Sequence, residues 1–145
     1  MLSSLSSPKL TIYLATYTRG IGKPDHWAIV IATSGIAKDG HAFQIVHGRP
    51  FFQYRYRPDA QLSASSSLKQ CPAIGKVKAS KLDFIDEVLG EIRVVNDDDN
   101  WNCQNWTREA IVALEGLGYV TPGTAISIDD ILAASVDKQR PIDTL

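Results

Sequence analysis

Hydrophobic and polar positions divide the chain into a first half typical of β-strands and a second half typical of helices. The first half contains short segments that alternate in polarity or form brief apolar runs rich in β-branched and aromatic residues. Glycine, proline, serine and aspartate cluster between these segments, as expected for turns. The pattern predicts five strands: residues 9–17, 26–33, 41–47, 51–57 and 73–78. A polar stretch, residues 58–72, is predicted to be a long mobile loop.

Helical spacing appears only after residue 80. Residues 81–93 place Leu82, Ile85, Leu89 and Ile92 on one face, after Ser80 as the predicted N-cap. A second helix is predicted for residues 103–117 and a third for residues 128–136, the latter capped by Ser127. The inward stripe predicted for the second helix is Cys103, Trp106, Ala110, Ala113, Leu114 and Leu117.

Strands followed by helices favour an α+β fold in which an antiparallel sheet of about four to five strands packs against helices. Residues 1–8 are rich in serine and are interpreted as a disordered lead-in, without the apolar core of a secretion signal. Residues 9–145 are interpreted as a single domain, a length that can bury a core without disulfide bonds.

Composition adds mainly exclusions. The net charge is −1, which does not favour nucleic acid or an anionic membrane as the partner. Two cysteines in different contexts do not suggest a disulfide framework. No apolar run approaches the ~20 residues of a membrane-spanning helix. A cytoplasmic protein without integral membrane association is therefore expected, and the sequence does not indicate its oligomeric state.

The candidate chemistry lies in residues 100–108, where a polar loop leads directly to a cysteine at a helix start. A helix N-terminus stabilises a thiolate through its unpaired N–H groups and dipole, and the same groups can hold an oxyanion. We expect the N–H of Gln104 to be one of these donors. Cys103 is therefore the candidate nucleophile. His26, at the start of an apolar strand, is its candidate base.

Two other histidines could orient His26. If the turn after the strand is centred near Ala37, Thr33 pairs with about His41, and His26 then lies beside about His47. Pairing His26 with His41 would force a glycine-rich stretch into a strand. We therefore predict that His47 fixes the tautomer of His26, and that His41 is a solvated hairpin residue.

Three short motifs resemble those of the permuted papain-like (NlpC-type) enzymes. They are Asp25-His26-Trp27-Ala28-Ile29, Ile45-Val46-His47 and Asn102-Cys103-Gln104-Asn105-Trp106, in the order His, His, Cys. They resemble the lecithin:retinol acyltransferase group and the HRAS-like suppressor acyltransferases, and the last is similar to deSUMOylating-type peptidases. The NCQNW form with a soluble chain also resembles small fungal proteins.

The resemblance implies a permuted papain-like catalytic domain with Cys103 as nucleophile, His26 as base and His47 as orienting residue. We expect a cysteine-dependent acyl-transfer enzyme, acting as a hydrolase, acyltransferase or cyclase on an amide, ester or thioester of a small molecule or peptide. No cofactor and no metal are expected. The residues expected to bind substrate are Trp27, Trp101, Gln104 and Tyr17. The resemblance has departures, since Gln104-Asn105 replaces a common Glu-His pair and no C-terminal membrane anchor is seen.

Other interpretations remain open. The same fold could serve as a binding module without catalysis, or as an accessory enzyme of a small-molecule biosynthetic pathway. Zinc ligation lacks supporting CxxC or HxxxH spacing. The aromatic and basic residues 51–57 are better explained as an amphipathic strand than as a nucleic-acid surface. Cys71 is expected to be a free loop thiol. Trp27 and Trp106 are expected to pack in the core.

Overall fold

The fold is an antiparallel sheet with helices on one side. A computed structural model of the chain describes residues 7–32, 39–47, 51–61 and 66–135. Its strands are β1 (Lys9–Tyr17), β2 (His26–Ala32), β3 (Asp39–His47), β4 (Phe52–Gln61), β5 (Leu68–Gln70) and β6 (Ala73–Lys78). They form one sheet in the order β4-β3-β2-β1-β5, and β6 pairs with the same edge of β1 as β5. The predicted α+β class is confirmed, with six strands rather than four to five.

Three α-helices follow the strands: α1 (Leu82–Gly90), α2 (Cys103–Gly116) and α3 (Ile128–Ala134). Short 3₁₀ turns, Ala79–Lys81 and Ala125–Ser127, lead into the first and the last. Among the described residues, no helix is both long enough and apolar enough to span a membrane.

Alternation along the strands gives the sheet two different faces. The helix face includes Leu14, Ile29 and Ile45, which join the main core together with the buried residues of α1 and α2. The opposite face, which we call the pocket face, includes Ala15, Val30 and Ala42 in a second, smaller cluster. Because side chains alternate along a strand, residue parity decides which of these surroundings each side chain meets.

Helix α2 packs its buried stripe on the helix face. The stripe differs from the prediction at its far end, because Thr107 and Ile111 are buried while Leu117 is exposed and follows the helix. Its buried residues are Cys103, Trp106, Thr107, Ala110, Ile111 and Leu114. The prediction that Trp27 and Trp106 lie in the core is confirmed.

Other local predictions need correction. The stretch predicted as a long loop instead contains the end of β4 and all of β5, which pairs with β1 at Thr16 and Tyr17. Neither Ser80 nor Ser127 makes the predicted side-chain cap, since Ser80 lies inside the 3₁₀ turn before α1. Of the predicted lead-in, only Ser7 and Pro8 are described, and both bond to residues at the end of β6 and the following turn. Val136, the predicted end of the last helix, lies outside the described residues.

Strand β4 confirms the amphipathic interpretation of the aromatic and basic segment. Phe52, Tyr54 and Tyr56 are half-buried against the main core, whereas Arg55 and Arg57 between them are exposed. The β3–β4 register shifts between Gly40 and Ala42, and Pro58 lies on β4 at this irregularity, where a missing N–H is tolerated.

Candidate functional site

Cys103 is the first residue of α2, and its position is fixed by a capping box. The Asn102 side chain accepts a hydrogen bond from the Gln104 N–H at 2.8 Å, and the Asn105 side chain accepts from the Asn102 N–H at 2.9 Å. A cap of this kind satisfies N–H groups that a helix start otherwise leaves free. The Gln104 N–H, predicted as an oxyanion donor, is therefore already engaged.

The Cys103 sulfur lies against the backbone that surrounds His26. Its Sγ is 3.8 Å from the carbonyl oxygen of Asp25, the residue before His26. The Gln104 side-chain amide donates to the same oxygen at 2.9 Å. On the other side of His26, the Thr107 hydroxyl approaches the carbonyl oxygen of Trp27 at 3.4 Å. These contacts hold the start of α2 beside the start of β2, where the ladder between β2 and β3 has already ended.

Burial dominates the acidity of Cys103. The residue is 2% exposed, and burial raises the pKa of its thiol above the ordinary value. Backbone hydrogen bonds and the positive charge of Arg19 oppose this effect, because they stabilise the thiolate. The resting group is thus a thiol near neutral pH, which needs a base to remove its proton.

His26 has a defined hydrogen-bond partner, Gln44. Its Nε2 lies 2.7 Å from Gln44 Oε1, and a carboxamide oxygen can only accept, so Nε2 carries the proton. The other ring nitrogen, Nδ1, is left with the lone pair of a base. Burial lowers the pKa of His26; the Gln44 hydrogen bond raises it, and the charge of Arg19 lowers it further. His26 is therefore a neutral imidazole near pH 7.

His47 is not placed beside His26 in this structure. The β2–β3 ladder pairs Ile31 with His41 rather than Thr33, so the predicted hairpin register is wrong. The parity of His47 is that of Ile45, on the helix face, and its ring packs edge-on against Phe52 at 5.1 Å. The hydrogen-bond position on His26 that was predicted for His47 belongs to Gln44.

The four residues predicted to bind substrate have different surroundings. Tyr17 lies beside the His26 ring at a centroid distance of 5.8 Å. Trp27 is buried on the helix face, beneath the Arg108 guanidinium at 4.9 Å. Trp101 packs edge-on against Phe52 at 5.7 Å, away from His26's hydrogen-bond partner. Gln104 adjoins Cys103, as described above.

A pocket of about 340 Å³ opens on the pocket face beside His26. The side chains of His26 and Gln44 form one wall, and the alanines Ala42 and Ala60 leave space between them. Cys103 does not line this pocket. The lining residues are Tyr17, Thr18, Arg19, His26, Ala42, Gln44, Arg57, Ala60, Gln61 and Ser67.

Cys71 and His41 differ from their predicted environments. Cys71 is buried between β5 and β6 rather than free in a loop, and burial raises its thiol pKa to about 12. His41 is partly buried, with its Nδ1 2.6 Å from the Tyr56 hydroxyl, rather than solvated. Within the described ranges, no group of three or more His, Cys, Asp or Glu residues is arranged to hold a metal ion.

Sequence reasoning missed Gln44, Arg19 and Arg57. Gln44 interrupts the otherwise apolar end of β3 with a polar residue of the same parity as Ala42. That interruption was the available signal for a partner of His26. The two arginines are distant in sequence and meet only through the sheet, so no spacing pattern could link them.

Comparison with known proteins gives one match. Residues 12–121 match the model of a family of unknown function, DUF6540, and this span includes β1 to β6 and the whole of α1 and α2. No curated protein and no solved structure matches the chain. Since the match covers more than half of the 145 residues, the chain belongs to this family of unknown function, DUF6540.

Proposed function

We propose that the protein is a cysteine-dependent acyl-transfer enzyme in which Cys103 is the nucleophile and His26 the general base. The observation that supports this most directly is the contact between the Cys103 sulfur and the backbone flanking His26, at the start of α2. A neutral imidazole beside a neutral thiol is the resting state of a general-base mechanism. The permuted papain-like architecture belongs to the same proposal.

In the proposed reaction, His26 Nδ1 accepts the thiol proton while Cys103 Sγ attacks the acyl carbonyl carbon. The tetrahedral intermediate then collapses, and the imidazolium returns the proton to the leaving amine, alcohol or thiol. Water or an acceptor next attacks the thioester and regenerates the thiol. Gln44 holds Nε2–H, which keeps Nδ1 free to act as the base. The Gln104 side-chain amide is the nearest donor for the oxyanion once it leaves the Asp25 carbonyl oxygen.

Thiol alkylation tests this proposal, with Cys71 as an internal control. Cys103 is expected to react with iodoacetamide near neutral pH at least about tenfold faster than Cys71, whose burial holds it as a thiol. His26→Ala is expected to slow Cys103 selectively, and Gln44→Ala to slow it by about tenfold, the worth of one hydrogen bond. Mass spectrometry of peptides gives both rates in one sample. Equal rates for the two cysteines, or full reactivity in His26→Ala, would contradict the proposal.

One observation favours a second candidate, a binding module without catalysis. The Cys103 sulfur is nearly inaccessible and does not line the pocket beside His26. On this interpretation the thiol is a small buried apolar group at the helix start. Cys103→Ala would then retain full biological activity and pocket binding, whereas the enzyme proposal expects the activity to be lost and the binding to remain.

A further inference from the structure

The pocket beside His26 has a one-sided charge. Of its lining residues, Arg19 and Arg57 carry full positive charges, and none is an aspartate or a glutamate. Across the described ranges, ion pairs are formed by Lys69 with Asp25 and by Arg108 with Asp129, and neither involves Arg19 or Arg57. The two guanidinium groups therefore face the pocket without a carboxylate partner.

The arginines reach the pocket from opposite sides of the sheet. Arg19 follows the end of β1, two residues after Tyr17, which pairs with His26. Arg57 lies on β4 opposite Ala42, whose methyl group is too small to fill the space between them. The charge of Arg19 also acts on both His26 and Cys103. This end of the pocket is therefore close to both reacting groups.

We propose that Arg19 and Arg57 form a binding site for an oxyanion, a carboxylate or a phosphate group, in the pocket beside His26. Planar guanidinium groups recognise these anions through paired N–H donors. The volume of about 340 Å³ suits a small molecule or a single peptide side chain. If the proposed acyl-transfer function holds, the anion belongs to the acyl substrate and is held near its scissile bond. Only this assignment rests on the proposed function.

Direct binding tests the site without requiring catalysis. Inorganic phosphate and acetate are titrated separately into the full chain at constant ionic strength, while NMR follows the His26 ring. Saturable shifts are expected with at least one anion, and the tighter of the two identifies the preferred group. Arg19→Gln and Arg57→Gln are each expected to weaken binding about tenfold. Arg55→Gln, the same change on the same strand outside the pocket lining, is expected to leave it unchanged.

Alkylation then tests whether the anion lies near the thiol. The ratio of the iodoacetate rate to the iodoacetamide rate at Cys103 is expected to fall about threefold or more in Arg19→Gln and Arg57→Gln. A changed thiol pKa alters both rates together, so the ratio isolates recognition of the negative charge.

The two experiments separate the two proposals. Saturable phosphate or acetate binding with an unreactive Cys103 supports the anion site and overturns the enzyme. A reactive Cys103 with no saturable binding overturns the anion site and leaves the enzyme proposal standing. Equal weakening in Arg55→Gln would also overturn the site, because a general surface charge would then explain the binding.

Discussion

Replacing Gln44 by glutamate tests the orientation of His26 with a single added charge. In the structure His26 Nε2 donates to Gln44 Oε1 at 2.7 Å. In Gln44→Glu the same position holds a carboxylate, which accepts the bond and also stabilises the imidazolium. The pKa of His26 is therefore expected to rise. In Gln44→Ala it is expected to fall, because the hydrogen bond that raises it is lost.

The magnitude follows from the geometry. A hydrogen-bonded imidazolium and carboxylate have charge centres about 4 Å apart, which corresponds to about 4 kcal/mol near a protein surface and about 1 kcal/mol in bulk water. The open pocket lies between these limits. Since one pKa unit equals about 1.4 kcal/mol, an increase of roughly 1–2 units is expected.

The assay is an NMR pH titration of the histidine ring protons. The chain has three histidines, so a His26→Gln variant assigns the signal. Gln61→Glu is the matched control, because it adds the same charge to the same pocket without the bond to His26. A shift in Gln44→Glu no larger than that in Gln61→Glu would refute the assignment of Gln44 as the residue that orients His26.

The remaining predictions concern stability. Burial lowers the pKa of His41, so the unfolded chain binds more protons below about pH 6.5, and the free energy of unfolding is expected to fall as the pH drops from there. Urea denaturation at several pH values should show a smaller fall in His41→Gln, with His47→Gln as control, and an equal fall in wild type and His41→Gln would contradict the reasoning. Asn102→Ala removes one half of the capping box and is expected to cost about 1 kcal/mol, measured by the same denaturation; an unchanged midpoint would mean that the cap is not formed in solution. In Gly40→Ala the new methyl group would meet a backbone carbonyl of β2 and is expected to destabilise the protein by about 1–3 kcal/mol, whereas Gly116→Ala meets open space and should not; similar midpoints for the two variants would argue against this packing.

Strands with a strong local pattern were predictable. The predicted bounds of β1 and β6 are confirmed at both ends, because alternation of apolar residues extends through the whole of each strand. Strand β5 was missed because its sequence, Leu-Lys-Gln, is three residues long and mostly polar. Its pairing with β1 is a long-range contact that no local pattern reveals.

The arrangement around His26 was harder to predict for a specific reason. The candidate partners Gln44 and His47 lie on the same strand, but they have opposite parity and therefore face opposite sides of the sheet. Choosing between them requires the hairpin register to a single residue. The turn that sets this register lies in residues 33–38, where the sequence allows several turn lengths. Cys103 at a helix start was predictable, because Asn102 and Asn105 are local capping signals.

The separation of the two sheet faces has a consequence for altering ligand preference. Ala42 and Ala60 lie on the pocket face, in the smaller cluster, and take no part in the core beneath α2. Larger residues at these two positions would reshape the cavity while the helix-packed side keeps its side chains. A combinatorial library restricted to positions 42 and 60 therefore offers a way to screen for new binding preferences with little loss of folded protein.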